Sequence, residues 1–177
     1  MKKKTLALVL ALTLLVAGIV GGTLAWLTDQ TAEVKNTFTV GDINIGLTET
    51  TTDYKMVPGN TIAKDPTVTV KANSEACWLF VQVTESTDLK DFITYAIAEG
   101  WTALPGVDGV YYREVPASAA DQTFSVLADD AVTVKSDVTR TMLETAKTDA
   151  PTLTFKAYAI QRDHFATADA AWAEVSK

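Results

Sequence analysis

Residues 77–85, CWLFVQVTE, are apolar on both faces of a period-two pattern, with Cys77, Leu79, Val81 and Val83 on one side and Trp78 and Phe80 on the other. A strand of that kind needs cover above and below, which places it in the middle of a sheet that is itself packed on both faces. The rest of the chain repeats the two-residue period in short runs. Val68 and Val70 alternate in PTVTVKA, and Leu153, Phe155, Ala157 and Ala159 share a face in PTLTFKAYAIQ. GVYYREV and TFSVLADDAVTVKS supply further strands, and NTFTVGDINIGL alternates through Phe38 and Val40 before Gly41, then through Ile43, Ile45 and Leu47. Turn signals separate these runs at Pro58-Gly59, Pro105-Gly106 and Asp108-Gly109, the last a hairpin signal ahead of Val110 and Tyr111.

Short strands at this spacing predict an all-β fold, a β-sandwich with a few short peripheral helices. Three segments carry helical spacing. DLKDFITYAIAEG places Leu89, Phe92, Ile93, Ala96 and Ile97 on one stripe, with Gly100 suited to a C-terminal cap. SDVTRTMLETAK starts at Ser136 or Asp137 and buries Val138, Met142 and Leu143. The tail lines up Phe165, Ala168 and Trp172.

The N-terminus has a different character. Lys2, Lys3 and Lys4 precede an uncharged apolar run, residues 6–20, that is 15 residues long. A basic start, an apolar stretch and small residues make a secretory signal peptide, shorter than the roughly 20 residues of a spanning helix. Thr23 and Ala25 occupy the small-residue positions of a cleavage site, so Trp26 would open the mature chain. The expected organisation is a signal peptide over residues 1–25 and one sandwich domain over residues 26–177. Losing the leader lowers the basic count from 15 to 12 against 22 acidic side chains, a net charge of −10. Such a surface repels nucleic acid and anionic lipid, so neither nucleic acid nor, after cleavage, a membrane is an expected partner.

Chemistry-bearing constellations are sparse. With one cysteine, Cys77, there is no internal disulfide, and its place in an apolar run reads as a small buried hydrophobe. The single histidine, His164, cannot supply the two or three histidines that a catalytic zinc site commonly takes, and no GxSxG elbow is present. Asp129-Asp130 reads as a solvated turn before an acid/base pair or a calcium ligand set. Trp78, Trp101, Tyr111 and Tyr112 read first as packing and second as walls of a sugar groove. The expectation is no catalytic residue, no metal and no cofactor.

Leu27-Thr28-Asp29 followed by NTFTVGDINIGL, behind a leader ending in small residues, resembles the N-terminal region of the TasA/camelysin family. MVPGNTIAKDPTVTVKANSEACWLFVQV resembles that family's next block, and together the two cover roughly residues 1–85. The resemblance implies exported proteins of Gram-positive bacteria whose leader is removed by the signal peptidase SipW. It also implies a jelly-roll sandwich and, for TasA itself, a fibre subunit of the biofilm matrix in which the segment after the cut completes a neighbour's sheet. Camelysins are classed as surface metalloproteases, a role for which this chain lacks a recognisable zinc set.

The residues fit strand exchange on their own terms. Between positions 26 and 40 there is no Gly or Pro, and Ala32, Val34, Phe38 and Val40 alternate with polar residues. Fully extended, those residues reach roughly 50 Å, enough to enter a neighbour. The sequence therefore predicts a secreted structural or surface protein whose partners are a SipW-like peptidase and possible copies of itself or a related matrix protein. The alternatives are a camelysin-like metalloprotease and a glycan- or protein-binding module built on Trp101, Tyr111 and Tyr112.

Overall fold

The computed structural model describes residues 42–51 and 54–177. The cleavage positions Thr23, Ala25 and Trp26 lie outside the described residues, as do Ala32, Val34, Phe38 and Val40 of the alternating segment. Among the described residues ten strands occur in chain order: β1 (Ile45–Thr48), β2 (Thr61–Ala63), β3 (Thr67–Val70), β4 (Cys77–Glu85), β5 (Ile93–Thr94), β6 (Thr102–Ala103), β7 (Val110–Val115), β8 (Gln122–Ser125), β9 (Ala131–Val134) and β10 (Leu153–Gln161). Three short α-helices accompany them among the described residues: α1 (Leu89–Phe92), α2 (Arg140–Ala146) and α3 (Ala168–Val175).

The strands form three antiparallel sheets, ordered β1-β3-β8, β10-β4-β7-β6 and β2-β9-β5. The first and third are halves of one bent layer. β2 runs into β3, β8 runs into β9, and the ladder between them continues through Lys64 N–H to Asp130 O (2.7 Å) and Val126 N–H to Pro66 O (2.9 Å). Pro66 lacks the N–H that a regular ladder would use, and Asp129 and Asp130 take left-handed backbone (φ 56° and 48°), so the layer bends here. Val68 and Val70 from this layer pack against Cys77, Leu79, Val81 and Val83 of β4 to make the main core. This all-β sandwich is the fold that the alternation predicts.

β4 lies between β10 and β7, in the register Cys77↔Gln161 to Glu85↔Leu153 on one side and Cys77↔Val115 to Gln82↔Val110 on the other. Its outward face, Trp78 and Phe80, is covered by α3, where Ala168 and Ala171 are buried against it. Trp172 of α3 sits 5.3 Å from the Phe80 ring and 5.1 Å, edge-on, from Tyr158. Each fully buried aliphatic side chain of this strand contributes about 1.5–3 kcal/mol.

Several local expectations are corrected. The stripe over residues 89–100 is not one helix: α1 ends at Phe92, β5 follows, and the chain stays extended to bridge Ile97 with Leu127. α2 is capped by Thr139, whose side chain accepts from Met142 N–H, rather than by Ser136 or Asp137. Asp108-Gly109 does not centre a two-residue hairpin turn. β6 and β7 are joined by a longer loop closed by Leu104 N–H to Val110 O (2.8 Å), with Gly106 and Gly109 both at positive φ. Gly109 is also pressed against β4: a Cβ there would lie 2.4 Å from the Val83 carbonyl oxygen.

Candidate functional site: an open edge of the sandwich

β10 is nine residues long and terminal in its sheet, and among the described residues no strand pairs with its outer side. The flanking bonds show which residues face which way. Arg162 N–H donates to Ala76 O and Ser86 N–H to Thr152 O, both 2.9 Å, so even-numbered residues turn their main chain toward β4. In an antiparallel ladder the alternate residues point the other way. Leu153, Phe155, Ala157, Ala159 and Gln161 therefore direct their N–H and C=O groups outward, a row of main-chain donors and acceptors suited to another strand. The side chains of Leu153, Phe155, Ala157 and Ala159 pack onto the main core yet remain only half-buried, whereas their β4 counterparts Leu79 and Val81 are fully enclosed.

Beside this edge, between β2 and the start of β10, lies a cavity of about 400 Å³ whose lining includes Ile62, Lys64, Val132 and Leu153. Lys64 is only 7 % exposed. Its Nζ lies 2.5 Å from Glu49 Oε1, 4.7 Å from the centroid of the Tyr54 ring and 5.4 Å from that of Phe155. The Tyr54 hydroxyl donates to the same carboxylate oxygen at 2.6 Å. Burial, then the Glu49 hydrogen bond and charge, hold that hydroxyl well above the usual tyrosine range. The cation is thus paired by a carboxylate and boxed by two rings, an arrangement that satisfies a buried ammonium.

The aromatic residues singled out in the sequence are not brought together as a groove. Trp101 is 9 % exposed and its indole N–H donates to Ser125 O at 2.8 Å. Trp78 is buried with its indole bonded to Phe165 O, and Tyr112 packs edge-on against it at 5.8 Å. Tyr111 lines two cavities, and there its aromatic companion is Tyr95, which the helical reading of residues 89–100 had hidden. The alternation of Ile93, Tyr95 and Ile97 is the signal that would have found it.

His164 is exposed on a 3-10 turn, Arg162–His164. Asp129 is exposed and Asp130 half-buried at the bend between β8 and β9. Cys77 is fully buried, and burial pushes its thiol up to about 11. Among the described residues no group of three or more His, Cys, Asp or Glu side chains is placed to hold a metal ion, and no helix is long and apolar enough to cross a membrane.

Residues 1–87 match the family model described as Camelysin metallo-endopeptidase. No curated protein and no solved structure matches the chain. The donor set of the described residues does not fit the metal that the family's description implies. Members of this family are surface or secreted proteins. The matched stretch runs through the alternating segment and β1 to the central strand β4, and over residues 1–87 the chain is identified with the TasA/camelysin family.

Proposed function

We propose that this is a secreted structural protein of the cell surface or extracellular matrix that assembles by strand addition. A SipW-like peptidase cuts after Ala25, and residues 26–40 of one copy then pair with the outer side of β10 in the next. The observation that carries the reading is the nine-residue edge of β10, whose outward main-chain groups have no strand partner among the described residues. Nine residues of strand span about 30 Å, which residues 26–40 can cover with length to spare. Ala32, Val34, Phe38 and Val40 would cover the half-buried row of Leu153, Phe155, Ala157 and Ala159. Before the cut, the leader ties the donor segment in place, which makes cleavage the trigger for assembly.

The test compares protein beginning at Trp26 with protein beginning at Gly41, by size-exclusion chromatography and electron microscopy. Filaments from the first alone are expected. Ala157→Pro supplies a second arm, because it removes one outward N–H and leaves the bonds to β4 in place. It should abolish filaments while near-UV circular dichroism stays native. Filaments from the Gly41 form, or undiminished filaments in natively folded Ala157→Pro, would refute the proposal.

The family's description favours a second reading, an endopeptidase. Casein digestion by the purified protein, lost on adding a chelator, would replace the structural assignment.

A further inference from the structure

Two cavities, of about 400 and about 470 Å³, adjoin across Glu85, Tyr95 and Tyr111, which line both, and together they make a two-part trough where β4 ends and β7 begins. The trough exists because residues 93–98 run extended. Ala98 N–H donates to Val126 O and Ala128 N–H to Ala96 O, both 2.9 Å, and this pairing carries Tyr95 to the side of Tyr111. Both rings are half-buried, each anchored in the core and open along one side. The Tyr95 hydroxyl donates to Glu85 and holds that carboxylate between the two cavities. Burial and the Glu85 bond push the hydroxyl above the ordinary tyrosine range, so it remains a donor. Lys90 and Lys135 line one end, and Gln82 and Asp108 the other.

The chemistry of this lining selects a ligand class. Apart from the two rings, the groups that reach the trough are mostly polar, and neither lysine is engaged in an ion pair among the described residues. An enclosed apolar small molecule wants the reverse, a mostly hydrophobic wall with few polar anchors. A sugar chain offers what fits: C–H faces to lie on tyrosine rings, hydroxyls to donate to carboxylates and a side-chain amide, and oxygens to accept from ammonium groups. The chain's net charge of −7 opposes a polyanion, which narrows the class to neutral oligosaccharides.

We infer that the trough centred on Tyr95, Tyr111 and Glu85 is a binding site for a neutral oligosaccharide. It lies on residues that the strand-addition reading does not use, and the two stand or fall separately.

The test is a printed array of neutral oligosaccharides, followed by titration of the isotopically labelled protein with chitotetraose and with each array hit, read by amide chemical shifts. Shifts concentrated at residues 82–85, 94–97 and 108–111 are expected, with binding weakened at least tenfold in Tyr95→Ala/Tyr111→Ala. Because Tyr95 also packs into the core, Lys90→Ala/Asp108→Ala, at two exposed positions, provides a variant whose fold is safe; it should weaken binding several-fold. Absence of binding across the array and to chitotetraose, or binding left unchanged by both double variants, would overturn the assignment. Filament formation is scored separately on the same samples, so loss of one property does not disguise loss of the other.

Discussion

Gly106 and Gly109 allow the packing of one loop to be measured against an internal control. Both have left-handed backbone, with φ of +73° and +72°, and both belong to the connection from β6 to β7. A Cβ at Gly106 meets nothing within 4 Å, whereas one at Gly109 would sit 2.4 Å from the Val83 carbonyl oxygen. Gly106→Ala therefore carries the conformational cost alone, about 1 kcal/mol. Gly109→Ala carries the same cost and must also push the loop away from β4. That displacement lengthens the bond from Val83 N–H to Gly109 O, now 2.7 Å, and a buried donor left unpaired costs a further ~2 kcal/mol. Urea denaturation followed by tryptophan fluorescence should place Gly109→Ala about 2 kcal/mol below Gly106→Ala. At this chain length that corresponds to a melting temperature lower by roughly 4–8 °C. Equal losses in the two variants would show that the loop yields without cost, and the close approach to β4 would then carry no energetic weight.

Two further outcomes follow from buried groups. Cys77, fully enclosed and with its thiol raised to about 11, should not react with Ellman's reagent at pH 8 in the native protein and should react with one equivalent in guanidinium chloride; rapid native labelling would contradict its burial. Lys64→Met leaves Glu49 half-enclosed without its cation and should cost about 2–3 kcal/mol by denaturant titration, whereas Lys64→Met/Glu49→Leu should recover most of that loss. If the double variant is no better than the single, the ion pair itself supplies the stability.

Much of the sandwich is legible from the alternation, and the reasons are specific. β4 reads correctly because its two apolar faces have no counterpart in a one-sided strand, and the structure covers both, with the opposite layer on one side and α3 on the other. β10 reads correctly because its row of Leu153, Phe155, Ala157 and Ala159 packs on the main core, while α3 covers Tyr158 and Ile160 on its other face. Residues 89–100 misled because Leu89, Phe92, Ile93, Ala96 and Ile97 also satisfy a helical stripe. Tertiary pairing decided the matter: Lys135 N–H to Phe92 O and Ala98 N–H to Val126 O, both 2.9 Å, draw the segment against β9 and the chain leading from β8. The β-branched and aromatic content of ITY favours that outcome locally. Gly100, read as a helix cap, instead has φ +87° and lies against the Arg113 guanidinium, where an added Cβ would come within 3.0 Å of Nη2. The trough was invisible for the same reason, since no one-dimensional pattern placed Tyr95 near Tyr111. The box around Lys64 was equally hidden, because Glu49, Tyr54 and Phe155 converge on it only through the stacking of two layers.

The pairing of β4 with β10 has a consequence for the order of events during synthesis. Cys77 meets Gln161 and Glu85 meets Leu153, so the most apolar strand of the molecule waits for a neighbour that follows it far along the chain. Closing so long a loop is entropically expensive, and the central hydrophobic seam cannot be completed earlier. Until residues 153–161 have been made, one side of β4 stays without its partner and the sandwich cannot close.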